Sequence, residues 1–194
     1  MAHPFGWMSR RAQWNSFTLT TLLTIAVMAG LSTSGAALQT PAAPYGIVSY
    51  EFAGDVPTAQ RMLDSWDTDA KAAAGFNLGL DYLYLFAYSS SIALGCTLVA
   101  TAGTAGRHTL SLPGIALAWL QFVAAALDAI ENYALLQMLF GHSDPIWPPL
   151  AWWCAAPKFG IVLLGIPYAL IGLAVIGLVR LAAIGKSAGD DQPL

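Results

Sequence analysis

Four long apolar stretches alternate with shorter polar segments along the chain, and this pattern predicts four membrane-spanning helices. The stretches cover residues 15–37, 72–102, 111–140 and 150–184. A helix needs about 20 predominantly apolar residues to cross the hydrocarbon core of a bilayer. We therefore expect a single membrane domain, residues 1–194, folded as an all-α bundle of four transmembrane helices.

The segment between the first two stretches, residues 38–71, predicts a short amphipathic helix. Asp55 is a suitable N-terminal cap, and Pro57 suits the first helical turn. Apolar residues then recur at helical spacing: Ala59, Met62, Leu63 and Trp66. We expect this helix to cap the bundle or to lie on the membrane surface. Residues 45–52, which precede it, fit either a short strand or a helical turn.

Composition agrees with a membrane protein and excludes one class of partner. Hydrophobic residues make up 57% of the chain and charged residues only 10%, and the mean hydropathy is +0.60. The formal net charge is only −3, with no basic run of the kind that binds nucleic acid. We therefore expect no nucleic-acid partner, and the lipid bilayer itself as the main contact.

The distribution of basic residues predicts the orientation in the membrane. With four spans, most basic residues near the membrane fall on one side: Arg10, Arg11, Arg107, Arg180 and Lys186. The positive-inside rule then places both termini and the tail, residues 185–194, in the cytoplasm, and residues 38–71 outside it. The first stretch also fits a cleaved secretory signal, and this alternative stays open.

The central candidate site is a set of polar residues inside the predicted spans. A charge at membrane depth costs roughly 2.5–3.5 kcal/mol on insertion scales, so such residues are usually paired and often functional. The helical rise of 1.5 Å per residue puts the carboxylates and the lysine at a similar depth in the outer half of the membrane. The candidate binding residues are Asp81, Asp128, Glu131, Asn132 and Lys158, with Asn77 and Tyr84 beside them.

The charges of this layer do not balance. Asp81, Asp128 and Glu131 supply three carboxylates, whereas Lys158 supplies one ammonium group. A shared proton, a bound cation, water, or a cationic side chain from Arg61 or Lys71 is therefore expected to complete the layer.

These features predict a membrane protein that binds a proton, a cation or a small polar solute in its buried layer. One alternative is an accessory or assembly subunit, bound to a membrane-protein partner or a second copy, in which the layer is purely structural. A second is a lipid-modifying enzyme with Glu131 or Asp81 as the base. We assign no catalytic residue. All three histidines lie outside the spans, so we expect no haem or other cofactor, while a metal ion is left undecided.

Four short stretches carry a resemblance to a known group of proteins. They are residues 45–51 (YGIVSYE), 79–83 (GLDYL), 127–132 (LDAIEN) and 158–159 (KF). Together they resemble a group of small bacterial multi-spanning membrane proteins for which no activity is known. The resemblance extends from about Pro44 to Gly172. It implies a four-helix arrangement and the bacterial cytoplasmic membrane, and it supplies no catalytic residues.

Overall fold

A computed structural model describes residues 2–102 and 108–190, and every regular element in that part of the chain is helical. The six α-helices are α1 (Arg10–Gly35), α2 (Ile47–Glu51), α3 (Val56–Asp64), α4 (Thr68–Ala100), α5 (His108–Leu139) and α6 (Trp147–Asp190). A short 3₁₀ turn, Ala36–Leu38, follows α1.

Four of these helices are long and apolar enough to span a membrane, as predicted. Their candidate spans are Arg10–Leu38, Thr68–Ala100, Ser111–Leu139 and Trp147–Ala183. The all-α bundle expected from the hydrophobic pattern is therefore confirmed. α4 starts at Thr68 rather than at residue 72, because the Asp67 carboxylate accepts a hydrogen bond from Ala70 N at 2.8 Å and caps the helix.

Other predicted boundaries also differ from the structure. The third stretch was predicted to begin at Ser111, but α5 already begins at His108, so Ser111 and Pro113 lie within its first turns. α6 continues to Asp190, past the predicted end at residue 184. Arg107, used to predict the orientation, and residues 191–194 of the expected tail lie outside the described residues.

α4 is the central helix of the bundle and packs against α1, α5 and α6. Small residues allow the close approach: a Cβ added at Gly95 would lie 3.0 Å from the Cβ of Ala169 on α6. α1 packs mainly on α4, and only Gln13 and Val27 of α1 are buried. α6 packs chiefly on α5 and also on α4, so α1 and α6 both lie against α4 but make little contact with each other.

The segment between α1 and α4 folds over one end of the bundle, which we call the α2–α3 end. α3 caps the bundle rather than lying apart from it, since Ala59, Met62 and Leu63 are buried in the same core as Leu135 of α5. Asp55 caps α3 as predicted, accepting a hydrogen bond from Thr58 N at 2.7 Å.

Residues 45–52, which fit either a strand or a helical turn, contain the short helix α2. Gly46 precedes it with a positive φ of 58°, a conformation that favours glycine. Tyr50 then anchors α2: its hydroxyl donates to Leu135 O at 3.2 Å, and its ring packs edge-on against Trp66 at 5.3 Å. This anchoring directs the next residue, Glu51, toward the interior of the bundle.

Candidate functional site

Lys158 of α6 is the centre of a buried ion cluster. Its ammonium nitrogen donates hydrogen bonds to Asp128 Oδ1 and Glu131 Oε1 of α5, each at 2.9 Å, and lies 2.8 Å from Glu131 Oε2. All three residues are buried, Glu131 completely. We call Lys158, Asp128 and Glu131 the α5–α6 ion cluster. Asp128 and Glu131 are three residues apart in the sequence, and this spacing places both side chains on one face of α5.

Hydrogen bonds extend the polar layer from this cluster to α4. Tyr88 donates its hydroxyl proton to Asp128 Oδ2 at 2.9 Å. Asn132 donates from Nδ2 to Asp81 Oδ2 at 2.6 Å. Charge-assisted hydrogen bonds of this length are among the stronger ones in proteins. The structure thus joins five of the sequence-predicted residues in one layer that crosses three helices: Asp81, Asp128, Glu131, Asn132 and Lys158.

The other two candidate residues take different positions. Asn77 points to α1, where its Nδ2 donates to Leu31 O at 2.9 Å and to Ser34 Oγ at 2.8 Å. It therefore fastens α1 to α4 at the edge of the layer. Tyr84 packs against Tyr88, with ring centroids 5.2 Å apart and the rings tilted by 50°, and lines the cavities described below together with Asp81.

Glu51 is a member of the site that the sequence analysis missed. Its carboxylate oxygen Oε2 lies 3.9 Å from Lys158 Nζ and has no hydrogen-bond partner among the described residues. The residue is only 8% exposed. One signal could have identified it, because Glu51 is the only charged residue between Pro44 and Gly54 and lies between two aromatic residues. Glu51 nevertheless lies outside the predicted spans, so the helical rise could not predict its depth in the membrane.

Burial dominates the electrostatics of Glu51. Loss of hydration is the largest cause and raises its pKa, while attraction to Lys158 acts in the opposite direction. The net effect is a raised pKa, so the site disfavours the charged form of Glu51.

The excess of carboxylates is larger than the sequence suggested. Four carboxylates, from Glu51, Asp81, Asp128 and Glu131, face the single ammonium group of Lys158. The two cations proposed to reach the layer lie elsewhere: Arg61 is exposed and donates to Thr58 Oγ1 at 2.9 Å, and Lys71 is also exposed. A proton or an external cation is thus needed to balance the layer.

A cavity of about 540 Å³ extends from the polar layer along the space between α1 and α6. Glu51, Asp81, Tyr88 and Lys158 line its polar end. The remaining wall is mostly apolar and includes Ile25, Ile166 and Leu170. Ile25 is 60% exposed and Leu170 is 62% exposed, so this wall is open to the surroundings of the bundle. Glu131 does not line the cavity.

A second cavity, of about 350 Å³, reaches the same layer from the α2–α3 end. Its outer part is lined by Gln39 and the exposed Tyr45, and its inner part by Asn132 and Asn77. Five residues line both cavities: Met28, Val48, Glu51, Asp81 and Tyr84. Glu51 and Asp81 therefore lie between the cavity that opens between α1 and α6 and the cavity that opens at the α2–α3 end.

Comparison with known proteins gives no relative for this chain: no family model, curated protein or solved structure matches it. Within the described residues, no group of three or more His, Cys, Asp or Glu side chains is placed to hold a metal ion. The chemistry offered by the site is that of carboxylate acceptors beside one fixed ammonium group. Such acceptors favour a cation that donates hydrogen bonds.

Proposed function

We propose that the protein is a membrane binding protein whose charged layer takes up a cation that donates hydrogen bonds, either a proton or an ammonium group. The observation that carries this proposal is the Glu51 Oε2 atom, which is buried, without a hydrogen-bond partner and next to both cavities. An unsatisfied buried acceptor costs about 1–3 kcal/mol. A ligand that donates a hydrogen bond there, and adds positive charge, would remove that cost.

The proposed setting is the bacterial cytoplasmic membrane, with both termini in the cytoplasm. Arg10 and Arg11 are the first residues of α1, and Arg10 donates to Leu98 O, near the C-terminal end of α4, at 2.9 Å. Arg180 lies near the C-terminal end of α6, on the same side of the bundle. Basic residues concentrated at this end favour a cytoplasmic position for it. The α2–α3 end would then face outward, and the charged layer would lie in the outer leaflet.

Thermal unfolding of the purified protein in detergent tests the proposal. A ligand that binds only the folded state stabilises it by RT ln(1 + [L]/Kd), about 2.7 kcal/mol at a hundredfold excess over Kd. The probes are ethanolamine and choline at neutral pH, compared with sodium chloride at the same ionic strength. Circular dichroism of the helices gives the unfolding midpoint. The proposal expects ethanolamine, which donates hydrogen bonds, to raise the midpoint more than either choline or sodium.

Two variants make this test specific. Glu51→Gln removes the cavity-facing carboxylate whose Oε2 has no hydrogen-bond partner, and should abolish the ethanolamine shift. Asp64→Asn removes an exposed carboxylate from α3 and should leave the shift unchanged. Equal midpoints with ethanolamine and sodium, together with no change in midpoint on protonation between pH 7 and pH 5, would overturn the proposal.

A second candidate function is a lipid-modifying enzyme, favoured by the cavity that opens between α1 and α6 beside a carboxylate. Asp81 is the candidate base because it lines both cavities. Glu131, the other candidate base, is completely buried and held by Lys158, so it suits this role less well. Release of a modified lipid from vesicles by the wild type, but not by Asp81→Asn, would favour this candidate.

A further inference from the structure

The lateral cavity changes in character along its length, and this change restricts the shape of a ligand. At the polar layer it offers the acceptor atoms of Glu51 and Asp81. Away from the layer its wall becomes apolar, with Phe17 and Ile25 of α1 facing Leu170 and Leu173 of α6. From Lys158 to Leu173 the rise of a helix covers about 22 Å. A ligand complementary to the whole cavity is therefore elongated, with a polar group at one end.

The sides of the cavity indicate where such a ligand comes from. α1 packs on α4, whereas α6 packs on α5 and α4, and α1 and α6 make little contact with each other. Several large apolar residues on their cavity walls are exposed, Met28, Ile25, Ile166 and Leu170 among them. In a bilayer these exposed walls face hydrocarbon, so the entrance between α1 and α6 admits molecules from the lipid phase. Water-soluble ligands have the separate route from the α2–α3 end.

Charge then selects the head group. Glu51, Asp81 and Asp128 place three carboxylates at the polar end beside Lys158, whose ammonium group is already bound to Asp128 and Glu131. An anionic head group would meet the cavity-facing carboxylates of Glu51 and Asp81, which is unfavourable in a medium of low dielectric constant. A cationic head that donates hydrogen bonds meets acceptors and compensating charge.

We infer that the ligand of the charged layer is an amphiphile with an amine head group and one long hydrocarbon chain, which enters from the bilayer between α1 and α6. This inference rests on the proposed function, because it assigns a chain to the cation that the layer binds. The amine lies against Glu51 and Asp81, and the chain lies along Ile25 and Leu170.

Photochemical labelling in vesicles tests the inference. The probe is a long-chain alkylamine with a diazirine in the middle of its chain, and the comparison probe is the alcohol of the same chain. Both are added to the full-length protein in vesicles of phosphatidylcholine and phosphatidylglycerol, and labelled peptides are identified by mass spectrometry. The amine probe should label the peptides that contain Ile25 and Leu170 about tenfold more than the alcohol, a ratio that corresponds to about 1.4 kcal/mol.

Variants that fill the cavity provide the matched control. Ile25→Trp with Leu170→Trp places bulk on the cavity wall. Leu22→Trp with Ile171→Trp adds the same bulk at neighbouring exposed positions that do not line the cavity. The first pair should lower amine labelling about tenfold and the second should not change it. Circular dichroism melting of both pairs checks that they fold.

The outcomes separate this inference from the proposed function. If the cavity-filling pair keeps the ethanolamine shift in detergent but loses amine labelling, both are supported. If the shift is present in the wild type but amine and alcohol label equally, ordinary bilayer lipid occupies the cavity and only the chain inference is overturned. If the shift is absent and labelling does not depend on the head group, the proposed function fails as well.

Discussion

Two parts of the same polar layer differ sharply in how well their charges are satisfied. In the α5–α6 ion cluster, Lys158 lies within 2.9 Å of both Asp128 and Glu131, away from solvent. On the cavity side, Glu51 is 3.9 Å from the same nitrogen, and Asp81 bonds to the neutral amide of Asn132. One layer of charges thus connects helices at one side and carries incompletely paired carboxylates that line the cavities at the other.

The difference follows from which elements supply the residues. α5 and α6 are long helices packed along their length, so their side chains meet at fixed positions. Glu51 is the last residue of a short helix and reaches the layer from the α2–α3 end. A carboxylate supplied in this way adds negative charge to a layer whose one lysine is already paired. We therefore expect the ion cluster to control stability and the cavity-facing carboxylates to control binding.

The largest effect is expected from Lys158→Met, which breaks the ion cluster. Removing one partner of a buried ion pair leaves uncompensated charge and typically costs about 3–5 kcal/mol. We expect a loss of this size in the free energy of unfolding, measured in detergent by denaturant titration with circular dichroism. Wild-type stability in this variant would show that the cluster does not hold α5 against α6.

A second variant keeps this prediction testable if Lys158→Met does not accumulate. Lys158→Met combined with Glu131→Gln has one fewer buried carboxylate to neutralise, so it should regain part of the lost stability. Lys158→Met combined with Asp64→Asn changes an exposed carboxylate instead and should regain none. Equal stability of the two double variants would contradict the expectation that the loss comes from buried negative charge next to position 158.

An intermediate effect is expected from Tyr88→Phe, which deletes the hydrogen bond to Asp128. Hydrogen bonds to charged groups contribute about 1.5–3 kcal/mol, and we expect a loss of unfolding free energy in that range. Tyr84→Phe is the matched control, because the Tyr84 ring packs against the Tyr88 ring and also lines the cavities. It should change stability by less than about 0.5 kcal/mol. Similar losses in both variants would mean that ring packing, not the hydrogen bond, is measured.

The sequence was sufficient for the features that depend on helical repeat and length. The four spans follow from runs of apolar residues, and the proximity of Asp128 and Glu131 follows from spacing within one helix. Glu51 could not be placed in the same way, because its depth depends on Gly46 and on Tyr50 contacting α5. Such contacts between distant segments leave no periodic signal.

The glycines of α6 show the same limit. The sequence pattern of Gly160, Gly165, Gly172 and Gly177 predicts close packing of α6, since small residues let helices approach. A Cβ at Gly165 would indeed meet Ile92 at 2.8 Å, whereas Gly160 and Gly177 have no atom within 4 Å of that position. The expectation is therefore wrong for Gly160 and Gly177. The pattern of small residues does not reveal which face of a helix has a neighbour, and for the same reason it could not predict the cavity beside α1.

The smallest effect is expected from Glu51→Gln, and its sign is opposite to that of the other two variants. Burial raises the pKa of Glu51 above its ordinary value of 4.5. A group with a raised folded-state pKa contributes most to stability below its unfolded pKa and loses that contribution as pH rises. Near neutral pH the carboxylate therefore costs stability, and Glu51→Gln should gain about 1 kcal/mol, the low end of the cost of an unpaired buried acceptor.

The dependence on pH distinguishes this gain from an unrelated improvement in packing. Around Glu51, α6 supplies Lys158, α5 supplies Asp128 and Glu131, and α4 supplies Asp81. Because the pKa of Glu51 is raised by folding, the cost of its carboxylate diminishes as pH falls from 7 toward the unfolded-state value of 4.5, so the advantage of Glu51→Gln should shrink. Thermal midpoints of both proteins across this range measure it, with Asp64→Asn as the exposed control. A variant that is less stable than the wild type at pH 7 would show that Glu51 contributes to the ion cluster, and the distinction between the two sides of the layer would then be wrong.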